Sequence, residues 1–158
     1  MSGIIPECFL FGDIFFPESF TKIPSDIKGI LEQAFSGCTF DRNFPVIIPT
    51  TCLEIRESAF AYSTINKIEL NCINTCNIWI RAFDDAEIYE MWLNELPNNA
   101  LFLYHVNKID YLYLPIDDSN KFNKWVAHVE DTAGEEFPKH KIKNIISSLT
   151  GEVLSEWS

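Results

Sequence analysis

Basic residues are scarce in this sequence. Twelve lysines and arginines stand against 23 acidic residues, which gives a formal net charge of −11 at pH 7. A protein that binds nucleic acid needs a basic surface to neutralise phosphates, so we expect no nucleic-acid partner. The acidic excess suits either solubility or the attraction of a basic protein, and composition alone leaves both open.

Long apolar runs are absent as well. No segment approaches the roughly 18–20 uninterrupted apolar residues that a membrane helix requires, so we expect no membrane association. The first 16 residues are hydrophobic, but Glu7 and Asp13 interrupt them and no basic leader region precedes them. A secretory signal has a different pattern, so we expect a cytoplasmic protein whose first residues form an edge of the core.

Few residues are available for catalysis. The chain has six glycines and three histidines, and no glycine-rich loop of the kind that cradles phosphates. His105, His128 and His140 lie in unrelated contexts, without Ser, Cys or carboxylate at a spacing that defines a known site. Adjacent carboxylates such as Asp84 and Asp85 are typical of solvated turns. We therefore expect a protein that is not an enzyme and has no cofactor.

The five cysteines have no paired spacing, and their odd number argues against a disulfide framework. Cys72 and Cys76 are four residues apart, but no second Cys or His pair follows at the distance of a zinc finger. We expect buried or half-buried thiols and no metal site.

The main positive signal is an internal repeat. The segment Ile30–Phe35 (ILEQAF) recurs as Ile55–Phe60 (IRESAF) and Ile78–Phe83 (IWIRAF), at intervals of 25 and 23 residues, with a degenerate copy starting at Leu101. A second landmark, an alternating apolar run that ends in Pro or Asn, keeps nearly the same period. Its copies are Val46–Pro49, Ile68–Asn71, Met91–Asn94 and Leu112–Pro115, with an earlier one at Ile14–Pro17. The longer step after Pro17 predicts an insertion near residues 24–29.

A repeat of this length predicts one short strand and one irregular return segment per unit, with units stacked so that their apolar faces form a continuous core. Alternation directs Ile68 and Leu70 inward and Lys67, Glu69 and Asn71 outward. The phenylalanines of the Ala-Phe pairs should form a stacked ladder through the coils.

These units resemble the leucine-rich repeats of the BspA type, which consist of an Ile-x-Ile-Pro strand, a variable stretch, an Ile, three residues, Ala-Phe and a small-Cys-small turn. Ser36-Gly37-Cys38-Thr39 matches that turn closely. The resemblance covers about residues 14–115, in four to five units. It implies a curved right-handed solenoid with an interaction role, because the family shares no catalytic residues.

The periodicity stops after Pro115. Phe122, Trp125, Val126 and Val129 have helical spacing and predict a helix over about 118–130, although alternation in 125–129 also allows a strand. The apolar positions from Ile142 to Val153 predict a second helix that ends near residue 157. We therefore expect an α+β protein, with a leucine-rich-repeat-like solenoid over 1–115 and a mostly helical cap over 116–158. Whether these helices only cap the solenoid or also dock a partner stays open.

The outward strand positions form the candidate binding surface, since large aromatics there exceed what a monomer should expose. The residues selected are Phe15, Ile47, Glu69, Glu90, Trp92, Tyr111 and Tyr113. A C-terminal segment that folds back over these aromatics is the alternative, and a one-residue error in register would exchange the two faces. We expect a non-enzymatic binder or neutraliser of a basic protein, in the manner of an immunity protein or a phage inhibitor. The other hypothesis is a structural or adhesive module, such as a virion component or a surface-protein fragment.

Overall fold

The computed structural model of the protein describes residues 3–5 and 22–156. Within these ranges the chain forms a β-solenoid of about four turns with one α-helix. The first strands are β1 (Gly3–Ile5), β2 (Ile27–Ile30), β3 (Thr39–Phe40), β4 (Val46–Ile48), β5 (Glu54–Ile55), β6 (Thr64–Leu70) and β7 (Asn77–Ile78). They are followed by β8 (Glu87–Leu93), β9 (Lys108–Leu114), α1 (Ser119–Ala133), β10 (Ile142–Ser147) and β11 (Val153–Glu156). Among these residues, no helix combines the length and the apolar character needed to cross a membrane.

The strands of the described residues form two sheets. The smaller sheet has the order β1-β2-β5-β7, and the larger has the order β11-β10-β9-β8-β6-β3, with β4 also paired to β6. All pairings are parallel except that between β10 and β11. Each coil from β2 to β8 contributes a short strand to the smaller sheet and then a strand to the larger one. After β8 a 3-10 turn, Leu101–Leu103, and then α1 follow in the place of the small-sheet strands.

The Ala-Phe pairs lie at the corner between the two sheets. Phe35, Phe60 and Phe83 are fully buried and stack, with ring centroids 5.4 Å apart for the first pair and 5.1 Å for the second. Phe102 continues the series at 6.2 Å from Phe83. The predicted ladder is confirmed and extends by one ring beyond the clear repeats.

The backbone of each corner bonds to the next coil. The amide of Phe35 donates to the Ala59 carbonyl at 2.7 Å, and that of Phe60 donates to the Ala82 carbonyl at 2.8 Å. Alanine fits here because a larger side chain would separate the coils. Each of these two corners also includes two residues in the left-handed region, the second of which is Gly37 in one coil and Tyr62 in the next, with φ of 74° and 57°.

The long strands share a burial pattern that departs from simple alternation. In β6 the buried positions are Ile65, Ile68 and Leu70, so two consecutive outward residues separate the first two of them. The strands β8, β9 and β10 show the same pattern, in which two outward residues separate two buried ones. The predicted inward orientation of Ile68 and Leu70 is confirmed, and the predicted register of the faces is correct.

In the coil before β6, the strand of the larger sheet is divided into two short strands, β3 and β4, which both pair with β6. Phe40 pairs with Ile65 and Val46 pairs with Ile68, so residues 41–45 occupy the place that two residues take in β6. These three extra residues lie within the longer first interval of the repeat, which is 25 residues against 23 for the second. The insertion was predicted near residues 24–29, but the structure does not place it there. Ile27–Ile30 form the regular strand β2, in which Gly29 pairs with Glu54.

Helix α1 confirms the first C-terminal prediction. Asp118 caps its N-terminus, with its Oδ1 accepting a hydrogen bond from the Lys121 amide at 2.8 Å, and Gly134 ends it with φ of 74°. The four apolar residues that predicted the helix are buried, and the Trp125 indole N–H donates to the Pro97 carbonyl at 3.1 Å.

The cap at Asp118 gives a direct stability prediction. Asp118→Ala removes the side-chain acceptor from an otherwise unpaired amide, so we expect the free energy of unfolding to fall by about 1 kcal/mol. Urea denaturation followed by circular dichroism measures this change. Asp118→Asn, which retains an acceptor oxygen, is the matched control, and its free energy of unfolding should fall clearly less. An equal loss in both variants would contradict a capping role.

The second predicted helix is wrong over its described part. Residues 142–147 form β10, which pairs in parallel with β9, and 153–156 form β11. The spacing of Ile142 and Ile145 imitates a helix because the long strands of this fold place buried residues three apart, as Ile65 and Ile68 are. The C-terminal segment is therefore a helix followed by an extension of the larger sheet, and a mostly helical cap is not formed.

Candidate functional site

The outward surface of the larger sheet brings together all the predicted site residues that the structure describes. Phe15 lies outside the described residues. Ile47, Glu69, Trp92 and Tyr113 follow one another in register across β4, β6, β8 and β9. Glu90 and Tyr111 are cross-strand partners in the adjacent row. We call the outward side of β4, β6, β8, β9 and β10 the outer face.

A stacked aromatic pair lies in the middle of the outer face. The rings of Trp92 and Tyr113 are parallel within 4° and their centroids are 3.7 Å apart. Both side chains are half-buried. Burial raises the pKa of Tyr113, and the negative charge of Glu90 raises it further. The phenol therefore stays neutral and can donate a hydrogen bond throughout the physiological pH range.

Polar neighbours fix the position of Trp92. Its indole N–H donates to a Glu90 carboxylate oxygen at 3.2 Å, and the Lys67 ammonium lies 5.2 Å from the centre of its ring. The ring is thus held by a stack, a hydrogen bond and a cation–π contact. A side chain held in this way loses little conformational entropy when a partner covers it.

Two further features of the outer face were missed from sequence. Tyr89 is 46% exposed and contacts Tyr111 edge to face, with centroids 5.3 Å apart. It faces outward beside Glu90 because of the consecutive outward positions in the long strands, which strict alternation does not predict. A groove of about 420 Å³ also crosses the first residues of β3, β6, β8 and β9, where Tyr89 and Asp110 form part of its wall.

The C-terminal segment leaves the outer face open as far as residue 156. Strand β10 adds to the edge of the sheet beside β9, and Ile146 lies next to Tyr113 in register. The alternative in which this segment folds back over the aromatics is therefore wrong for the described residues. Ile47, at the other side of the face, is 41% exposed.

The charges on the outer face are mixed. Acidic and basic side chains alternate across β6, β8, β9 and β10: Glu69, Glu87, Glu90 and Asp110 accompany Lys67, Lys108 and Lys143. The acidic excess of the whole chain is therefore not concentrated here. Short-range recognition on this face would depend on aromatic contacts and individual charge pairs, while the net charge acts at longer range.

The histidines are not brought together with nucleophiles by any contact in the described ranges. His128 and His140 are exposed and His105 is half-buried.

One cluster of possible metal ligands does form. The Sγ atoms of Cys52, Cys72 and Cys76 all lie within 4.8 Å of one another. The sequence predicted buried or half-buried thiols and no metal site, and this triad was missed. The repeat held a usable signal, because a period of about 23 residues places Cys52 beside Cys76 in the next coil.

The chain was compared with protein-family models, curated proteins and solved structures. No family model, curated protein or solved structure matches the chain.

Proposed function

We propose that this protein is a non-enzymatic protein-binding module, a leucine-rich-repeat-like solenoid that docks a basic partner protein on its outer face. The Trp92–Tyr113 stack carries the proposal. It presents two large, rigid aromatic side chains, each half-buried, at the centre of an open sheet. Trp and Tyr dominate the residues whose truncation most weakens protein interfaces.

The repeat residues support the architectural part of the proposal. The Ala-Phe corners at Phe35, Phe60 and Phe83 follow the BspA-type pattern, and repeat proteins present extended surfaces of this kind to partners. An interaction role is what that resemblance implies.

The charge supports the choice of a basic partner. A net charge of −11 accelerates encounter with a cationic protein, and this attraction weakens as salt screens it. Together with the small size and the cytoplasmic location that we propose, it favours a neutraliser such as an immunity protein or a phage-borne inhibitor.

The test has two steps: the wild-type chain captures a partner, and the affinity of that partner is then compared among matched variants. Trp92→Ala should weaken binding by about 2 kcal/mol or more, which is roughly 30-fold in Kd, because it removes the centre of the contact. The fold should survive, since an aromatic pair contributes only about 0.5–1.5 kcal/mol beyond its buried area. The wild-type chain is used as bait in native lysate at low and moderate salt, and the affinity of the captured protein is then measured with each variant.

Trp79→Ala is the matched control. Trp79 is 37% exposed, follows β7 of the smaller sheet and has Arg56 over its ring at 5.5 Å. This variant should bind the partner as the wild type does. Equal affinity of Trp92→Ala and the wild type would overturn the outer face as the binding surface.

A structural or adhesive module is the second candidate function, favoured by a different surface. Leu53, Trp79 and Ile80, which flank strands β5 and β7 of the smaller sheet, are respectively 59%, 37% and 42% exposed. Such a patch suits contact between copies of the chain. Sedimentation at micromolar concentration distinguishes the two: a monomer favours the partner-binding module, and a large assembly that Trp79→Ala dissolves favours the structural one.

A further inference from the structure

Three thiols from two coils meet in one place. Cys52 precedes β5, and Cys72 and Cys76 lie on the turn between β6 and β7. Cys52 and Cys72 are fully buried, while Cys76 is half-buried and gives the cluster access to solvent. All three are free thiols. The outer face does not use any of them.

The backbone determines this meeting. The Asn77 amide donates to the Leu53 carbonyl at 2.9 Å, so the residues just before them, Cys76 and Cys52, are neighbours in adjacent coils. The Cys76 amide donates to the Cys72 carbonyl at 2.9 Å, which folds the turn so that its two thiols come together.

The next coil holds this turn in place. The Asn94 side chain accepts a hydrogen bond from the Ile73 amide at 3.2 Å and donates to the Asn71 carbonyl at 3.1 Å. The Asn98 amide donates to the Asn74 side chain at 2.8 Å. The three sulfurs are thus presented by a pre-formed frame, so binding a ligand there would require little reorganisation.

We propose that Cys52, Cys72 and Cys76 form a three-thiolate site for Zn²⁺. Zinc–sulfur bonds of about 2.3 Å place tetrahedral ligand sulfurs about 3.8 Å apart, so a triad within 4.8 Å closes on the ion with shifts of an ångström or less. Three protein ligands leave the fourth position for water or an external ligand, which can approach through the half-buried Cys76 side.

Charge favours a divalent over a monovalent thiophilic cation. Three thiolates with Zn²⁺ carry one net negative charge, whereas a monovalent ion would leave two in a mostly buried place, at a higher desolvation cost. Each Zn–S bond replaces an S–H bond, so binding one Zn²⁺ releases up to three protons to solvent.

The test uses Co²⁺ as a spectroscopic probe of the reduced 158-residue chain. We expect thiolate-to-cobalt charge-transfer absorption that saturates at one ion per chain and disappears when Zn²⁺ displaces Co²⁺. Cys76→Ser should weaken Co²⁺ binding by more than about 100-fold, beyond the usual cost of losing a residue outside the coordination shell. This variant is the most informative because Cys76 is the least buried of the three and its replacement disturbs the core least.

Cys38→Ala is the matched control. Cys38 is a fully buried cysteine outside the triad, at the Ala-Phe corner. We expect the spectrum and stoichiometry of this variant to equal those of the wild type. Absence of the charge-transfer band in the reduced wild type, or a band of full strength in Cys76→Ser, would overturn the proposal. A thermal melt gives a second readout, since Zn²⁺ should raise the Tm of the wild type and not that of Cys76→Ser.

Discussion

Replacing Phe60 with alanine is expected to lower the free energy of unfolding by about 3–5 kcal/mol, the usual cost of emptying a buried aromatic site. Phe60 is fully buried and its ring stacks on both Phe35 and Phe83. Coils on both sides therefore lose contacts, and the hydrogen-bonded corners limit how far the cavity can collapse. Since domains of this kind are stable by about 5–15 kcal/mol, the loss is a large fraction of the total.

Guanidinium denaturation followed by tryptophan fluorescence measures this loss. Tyr62→Ala is the matched control, because it truncates an aromatic residue in the same corner whose side chain is 65% exposed. We expect it to change stability by about 0.5 kcal/mol or less. Similar losses in the two variants would mean that the ladder does not hold the coils together.

The ladder was predictable from sequence because it depends on a local pattern repeated at a fixed period. An Ala-Phe pair every 23–25 residues has few structural uses other than packing one coil on the next. The inward and outward sets were predictable for the same reason. Once Ile68 and Leu70 are assigned inward, Trp92 and Tyr113 follow by register, and their stacking follows from parallel pairing.

The Cys52, Cys72 and Cys76 cluster was harder to predict because its members lie in successive coils, at different distances from copies of the same strand landmark. Cys52 lies three residues after Pro49, the end of one copy of this landmark, whereas Cys72 directly follows Asn71, the end of the next copy. The stacking of the coils, seen in the parallel pairing of β5 with β7 and in the hydrogen bond from the Asn77 amide to the Leu53 carbonyl, brings Cys52 and Cys76 together. A search for paired spacing within one segment finds Cys72 and Cys76 and misses the third sulfur.

The strand β10 shows how one apolar pattern fits two structures. Apolar residues at 142, 145 and 146 match a helical face, and they match equally a strand with consecutive outward residues. Three isoleucines in six residues favour the strand, because β-branched side chains pack well on a pleated surface. The deciding interaction, however, is non-local, since β10 pairs with the open edge of β9.

The adjacent residues Ile145 and Ile146 therefore provide a sharp test of this fold. In β10 they face opposite sides: Ile145 is 1% exposed in the core, and Ile146 is half-buried on the outer face beside Tyr113. Ile145→Asp should destabilise the protein by about 3–5 kcal/mol, because it places an unpaired carboxyl in the core and removes an apolar side chain. Ile146→Asp should cost about 1 kcal/mol or less, since its carboxylate stays in contact with water.

Equilibrium denaturation of the two variants distinguishes the strand from a helix. An amphipathic helix would bury both isoleucines on one face, so both substitutions would then be severe and similar in cost. A large difference between neighbours is the signature of period-two geometry. It would also locate the outer face independently of any partner, since Ile146 is in register with Tyr113, and Tyr113 with Trp92. Loss of partner affinity in the stable Ile146→Asp variant would then extend the binding surface from the aromatic stack to the last parallel strand.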